Sequence, residues 1–452
     1  MKSNHHLNKK QVIFLCIVGA AAVLGMLMLF AEKERSQILL EPIKNSYYEN
    51  LNKVLQQLNS ERPKTTITGN NHGPFHLIFL GHLGYFLKID NPMEVSFRYS
   101  EFWHCVLALV FPFLLWKLLG YRPLSIIGGI LLMLEFVVKI QTTSAPTIYY
   151  SYWSGGCFTL LCCPILAWLV MRAIKNQFDR NEWFFIALLI VLMAFENTIR
   201  QHFAFPVLVC LLLVFLLRII GGKSRERILG ALLAVVACVT FLYAPPAAKK
   251  LYDLTVHQVD VQTVERPWHG IWCGLGVFEN EFGFAWNDTM AAEYVASVDP
   301  TAEYCSEEYF VVLRVRVITV FRENPGWVLK TIFHKFTGSI EEVFRFYQKW
   351  FATAIVCLIC TAAWLIRMKS AWDDWFWPAF LIGLVCMLAG TLQGVVGHPE
   401  SIVYLLPSMA GCVFMVLSCL LQAFAVFWPL FVKLCCKVQR KLFPEREVPD
   451  ES

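Results

Sequence analysis

The feature that most constrains this chain is a succession of apolar runs, each about as long as a bilayer is thick, joined by polar connections. They fall at about 11–31, 99–119, 124–140, 146–171, 183–199, 203–220, 228–246, 351–366, 375–396 and 401–428. A helix rises about 1.5 Å per residue, so roughly 20 residues cross the roughly 30 Å hydrocarbon layer. Composition agrees: 57% of residues are hydrophobic and 16% charged, with a mean hydropathy of +0.53. A soluble domain is about 25% charged, so this chain has too little polar surface to cover itself in water. The expected fold class is an all-α polytopic membrane protein with about ten transmembrane helices. The net charge of +5 does not point to nucleic acid, because the basic residues lie almost entirely in short loops between apolar runs.

Charge bias orients the spans. With the N-terminus inside, the inner segments carry Lys117 and Arg122; Arg172, Lys175 and Arg180; Arg218, Lys223, Arg225 and Arg227; Arg367 and Lys369; and Lys433, Lys437, Arg440 and Lys441. The short outer loops near 141–145 and 397–400 carry no Lys or Arg, and the one near 200–202 has only Arg200. This is the positive-inside pattern. It holds only if Phe75–Leu87, which is short for a span, stays interfacial or re-entrant. The domain expectation follows: an N-terminal transmembrane module over 1–246 with an interfacial helical first outer loop at 32–98, a large non-cytoplasmic loop at 247–350 between helices seven and eight, C-terminal helices at 351–436 and a polar cytoplasmic tail at 437–452. The run Gln11–Ala31 follows a basic start and precedes no small-residue cleavage site, so it reads as a retained signal anchor. No internal repeat is evident.

Most of the 16 cysteines lie in apolar runs, where a thiol acts as a small hydrophobe. Cys273 and Cys305 share a polar loop and could pair. Glu135 and Lys139 are four apart, as in an intrahelical ion pair. Glu196-Asn-Thr-Ile-Arg-Gln-His202 lies where a helix meets the outer surface. Arg200 there can snorkel or bind phosphate through its planar fork, with His202 beside it, and phosphate is the favoured reading.

The first outer loop places Ile38, Leu39, Ile43, Tyr47, Leu51, Val54, Leu55 and Leu58 at helical spacing, which predicts an amphipathic helix on the membrane. Its acids are mostly a solvated face, but Glu41 and Glu49 are candidate general bases. His72, His76 and His82 follow; a divalent metal is compatible with them, although interfacial histidines are the plainer explanation. The large loop interleaves Trp268, His269, Trp272, Phe282, Phe284 and Trp286 with Glu279, Glu281, Asp288 and Glu293. Aromatic faces beside carboxylates suit a sugar, and they equally suit a small domain plugged onto a membrane. Asn287-Asp-Thr289 is a glycosylation sequon where the host permits. GHPESIVYLLP puts His398, Glu400 and Tyr404 at the outer end of the last helix.

Taken together these features resemble the GT-C superfamily of membrane glycosyltransferases, which includes protein O-mannosyltransferases and the aminoarabinose transferase of lipid A. The likeness rests on the retained first helix with its acidic outer loop, on His72-Gly-Pro-Phe-His76, on Arg200 and on Tyr404-Leu-Leu-Pro407. The run WHGIWCGLGVFENEFGFAWND is similar to one in bacterial members of unknown substrate. The resemblance implies sugar transfer from a polyprenyl-phosphate carrier, with Glu49 or Glu41 as base and Arg200, with His202, on the phosphate. It extends the substrate surface to His72, His76, Trp268, His269, Trp286, Asp288, His398 and Tyr404. The chain departs from the pattern in having no Asp before Asp90. The rival readings are a transporter or flippase, for which inverted repeats and midplane charges are expected, a glycan polymerase or ligase, and a scaffold. The bilayer is the other partner, and a bacterial inner (plasma) membrane with both termini cytoplasmic is the expected setting.

Overall fold

The structure is a computed structural model that describes residues 46–58, 65–68, 74–119, 153–199, 203–255, 259–262, 267–304 and 306–442. The expected spans at 11–31 and 124–140, and the pair Glu135 and Lys139, lie outside the described residues. The elements in order are α1 Ser46–Leu58, β1 Thr65–Thr68, α2 Pro74–Leu87, α3 Pro92–Leu119, α4 Trp153–Ile174, α5 Arg180–Ile199, α6 Phe205–Gly221, α7 Ser224–Thr255, β2 Val259–Gln262, α8 Pro267–Leu275, α9 Asp288–Val298, α10 Glu307–Glu323, α11 Pro325–Phe346, α12 Gln348–Met368, α13 Phe376–Val396 and α14 Ile402–Leu442.

Among the described residues, seven stretches are long and apolar enough to cross a membrane: Pro92–Leu119, Ser154–Ile174, Arg180–Ile199, Ser224–Ala248, Gln348–Met368, Phe376–Val396 and Tyr404–Cys435. The apolar α6 is shorter, at 17 residues. Their packing follows from composition. At the centre, α4 buries Leu160, Cys163, Leu166, Ala167 and Val170 completely. At the periphery, α7 leaves Ile228, Leu232, Val235, Val239 and Leu242 exposed. Those five recur at alternating spacings of four and three, one helix face that would be untenable in water and is comfortable in lipid. Between α13 and α14 the backbones approach closely. A Cβ at Gly390 would lie 2.4 Å from Ser408 N and one at Gly411 2.4 Å from Met387 N. Such small-residue seams are how membrane helices gain dispersion contact without a hydrophobic drive between them.

The connections sort to two ends. Arg172 pairs with Glu182 (2.6 Å) and Asp179 (2.8 Å), Arg218 with Glu226 (2.6 Å) and Asn176 (3.1 Å), and Lys175 with Asp374. These contacts tie the α4–α5, α6–α7 and α12–α13 turns into one layer. At the other end of α13, Val396 meets residues 267–287. A 21-residue helix separates the two layers.

One feature departs from the all-α expectation. β1 and β2 pair in parallel, Thr65 opposite Val259 through Thr68 opposite Gln262. Two segments that share backbone hydrogen bonds lie on one side of a membrane, so an even number of crossings separates them. The intervening α2 has 14 residues, about 21 Å, too short to span. Its Leu77, Ile78 and Leu80 are buried, whereas Tyr85 and Phe86 at its C-terminal end are exposed. α1 packs on it through Leu51, Val54 and Leu55, with a Cβ at Gly81 only 2.3 Å from Val54 Cγ1. The described part of the expected amphipathic helix, α1, therefore buries its apolar face against protein, while Ile38, Leu39 and Ile43 lie outside the described residues. Two expected boundaries also shift: α7 runs through Pro245–Pro246 past 246 to Thr255, and α14 continues past 437 to Leu442.

Residues 267–328 form a second, separate core. Trp272, Phe284, Val295, Tyr309, Leu313 and Val317 are buried together, with Trp268 and Trp327 packed on them.

Candidate functional site

The run WHGIWCGLGVFENEFGFAWND folds as a helix and a tight loop. A Cβ at residue 276 would sit 2.1 Å from Ala285 N, so only glycine lets these strands of the loop touch, and Trp286 N–H donates to Gly276 O at 3.0 Å. Gly283 adopts φ +78, open to glycine at no steric cost. Asn280 holds the interior: its amide donates to the carbonyls of Phe278 and Phe284 (2.9 Å each) and accepts from the N–H groups of Phe282 and Phe284 (3.1 Å each). Phe284 stacks on Trp327 with 6.0 Å between centroids, and Trp272 meets Phe284 edge-on at 4.6 Å. Most of the aromatic residues that read as a sugar surface are thus the domain's core. Trp286 is the one left outward, 41% exposed.

Trp286 faces the membrane bundle. Its ring meets His398 at 5.3 Å and Tyr404 at 6.4 Å, both edge-on. The loop closes over α13: a Cβ at Gly274 would lie 2.4 Å from Val396 O. Into this seam α11 inserts Lys335. Its phase explains why. Val328, Thr331, Lys335, Ser339, Val343 and Phe346 form the buried face of an amphipathic helix, while Leu329 and Phe333 are exposed. Lys335 is 2% exposed, and its Nζ donates to Gly274 O at 2.8 Å. Among the described residues no carboxylate pairs with it. Burial pulls this ammonium down from 10.5 to about 8. Burial also lowers His398, with Lys335 adding to the effect and Glu400 opposing it.

A second cluster lies just along the chain. His269 and Cys273 are four apart on α8, so they share a face. Asn287 caps α9, its side chain accepting from Thr289 N, and sets Asp288 in the first turn. Ser306 caps α10, accepting from Tyr309 N, and sets Tyr309 likewise. His269 Nε2 lies 2.9 Å from Asp288 Oδ1 and 3.6 Å from Cys273 Sγ, and Nδ1 lies 2.9 Å from Tyr309 Oη. The bond from His269 holds the Asp288 carboxyl below its usual range. Burial, helped by Asp288, pushes the Cys273 thiol up to about 12. This is not a nucleophilic triad. There the acid orients one imidazole nitrogen while the other activates the nucleophile, whereas here Asp288 and Cys273 share Nε2.

The other expected residues sit elsewhere. Glu49 is exposed on α1. His82 Nδ1 lies 2.9 Å from its own helix's Ile78 O, a local contact. Glu41, His72, Arg200, His202 and Cys305 lie outside the described residues, as does the side chain of His76. Cys273 is a free thiol. Glu196 is fully buried in α5; its Oε1 accepts from Ser154 Oγ at 3.0 Å and its Oε2 has no hydrogen-bond partner. Lys335, which the sequence reading passed over, carried a signal: it falls in phase with the apolar face of its helix.

No protein-family model, no curated protein and no solved structure matches the chain.

Proposed function

We propose that this protein is an integral-membrane glycosyltransferase that moves a sugar from a polyprenyl-phosphate carrier to a lipid, glycan or protein acceptor. One observation carries the reading. A buried ammonium, bonded to a neutral carbonyl and to no carboxylate among the described residues, sits where the second core meets the bundle, near enough to His398 to disfavour its charge, and the His398 ring in turn meets Trp286. A lysine so placed seeks an anion, and a phosphate on a lipid tail delivers one at that depth. Trp286 and Tyr404 offer ring faces to the attached sugar. On this reading the seam lies on the non-cytoplasmic face of a cell inner (plasma) membrane, with both termini cytoplasmic, an orientation that the charge bias supports.

In the reaction a carboxylate of the first outer segment, Glu49 or Glu41, takes the acceptor's proton. The acceptor oxygen attacks the anomeric carbon, the bond from that carbon to the phosphate oxygen breaks, and the polyprenyl phosphate leaves with the electron pair. Lys335, with Arg200 and His202, offsets the charge that accumulates on it.

The test is label transfer from a panel of radiolabelled polyprenyl-phosphate sugars by the protein in nanodiscs, comparing wild type with Lys335→Met, Arg200→Ala, Glu49→Gln and Glu41→Gln. Turnover lost in Lys335→Met and in one Glu variant is expected. Donor binding without turnover in wild type refutes the transferase and favours a flippase.

A further inference from the structure

The geometry points to a second site: we propose that His269, Cys273 and Asp288 bind a divalent cation of the zinc class. The three donor atoms, Nε2, Sγ and Oδ1, all lie within 4.8 Å of one another, at separations of 2.9, 3.6 and 3.8 Å. A tetrahedral zinc with bonds of about 2.1 Å to N and O and about 2.3 Å to S holds its ligand atoms roughly 3.4–3.6 Å apart. Two edges of the triangle are close to that already, and the third opens by about half an ångström when the His269–Asp288 hydrogen bond gives way to metal bonds.

The surroundings fit a metal better than a hydrogen-bonded triad. Imidazole, thiolate and carboxylate together form a borderline set that suits zinc, whereas calcium and magnesium prefer oxygen alone. Tyr309 Oη on Nδ1 is the partner a ligating histidine needs on its far nitrogen, fixing the ring and freeing the Nε2 lone pair. Without metal, Nε2 keeps its proton for Asp288 and Nδ1 accepts from Tyr309. With metal, the proton moves to Nδ1, Tyr309 Oη accepts it, and the Cys273 thiol releases its proton to solvent on binding. His269 and Cys273 are buried, but the Asp288 side chain is 75% exposed, which leaves an entry path and a fourth position for water. The ligands come from α8 and the start of α9, and Tyr309 from α10, so one ion would clamp three helices of a small core. The site stands whether or not the chain transfers sugar.

The experiment is titration of the purified full-length protein, stripped with a chelator, with zinc and separately with cobalt, following stoichiometry and the cobalt absorption spectrum. Wild type should take one tight equivalent and show tetrahedral d–d bands with a thiolate charge-transfer band. Asp288→Asn, whose exposed side chain makes misfolding a minor concern, should bind at least tenfold more weakly. Cys273→Ser should lose the charge-transfer band. Unchanged binding in both variants, no tight equivalent in wild type, or peptide mapping that finds Cys273 disulfide-bonded to Cys305 would each overturn the site.

Discussion

Lys335→Met separates a functional lysine from a structural one, because the two readings predict opposite signs. The wild-type ammonium is buried and donates to Gly274 O, and its fall from 10.5 to about 8 corresponds to roughly 3 kcal/mol carried by the charged form. Methionine fills similar volume and removes that penalty. It also leaves the Gly274 carbonyl without its donor, which costs about 1–3 kcal/mol. The expected net at pH 7 is between no change and about 2 kcal/mol of added stability. A lysine serving as counter-ion to a buried carboxylate would instead lose about 3–5 kcal/mol on removal. The pH dependence gives a second check. Lys335 has a depressed folded value, so between about 8 and 10.5 the unfolded chain binds more protons and wild-type stability rises with pH. The variant lacks that rise, so its advantage should shrink across the window. Chemical denaturation in detergent followed by tryptophan fluorescence at pH 7 and pH 10 measures both. Phosphate-lipid affinity should fall roughly tenfold to a hundredfold in the variant, and in wild type it should weaken as pH rises through about 8. A destabilisation of several kcal/mol, independent of pH, would refute the reasoning.

Gly276→Ala drives a Cβ to 2.1 Å from Ala285 N and should destabilise the second core by about 3 kcal/mol, the upper end for overpacking because the clash is with backbone, while Gly270→Ala, with nothing within 4 Å, should gain about 0.5–1 kcal/mol in helix propensity; thermal unfolding of the pair checks both. Asn280→Ala removes four hydrogen bonds from one loop and should cost about 2–4 kcal/mol, read as earlier proteolysis within 276–287. Thr66→Cys combined with Asp260→Cys should cross-link on mild oxidation, joining the two halves of a chain cleaved between them; no cross-link at this register would contradict the parallel pairing.

The bundle was legible because lipid demands continuous apolar length, a signal that survives without neighbours. The runs near 99–119, 183–199, 351–366 and 375–396 reappear as α3, α5, α12 and α13 to within a turn or two. What escaped were features that depend on partners distant in sequence. Thr65–Thr68 and Val259–Gln262 are four residues each, too short to show a period, and they pair only because the folded chain delivers both to one place. The apolar face of α1 read as lipid-facing because amphipathicity does not say what covers it; Gly81 and Gly84, which let α2 approach, were the clue.

The site was legible in inverse proportion to how polar each residue looked. Trp286, His398 and Tyr404 were named from two separate motifs, and the structure brings them together. Trp272, Phe282 and Phe284 looked alike to Trp286 in composition, yet they are core, because a small domain between a membrane and water must fill its interior with the same rings that could bind a sugar. Lys335 went unnoticed because lysine in an amphipathic helix is expected on the wet face, where Lys330 is found. Its phase places it with Thr331 and Ser339 instead. A charge on the wrong face is stable only if something outside the helix wants it there. Gly274 O answers one of three N–H groups, and the proposed carrier phosphate would answer the others.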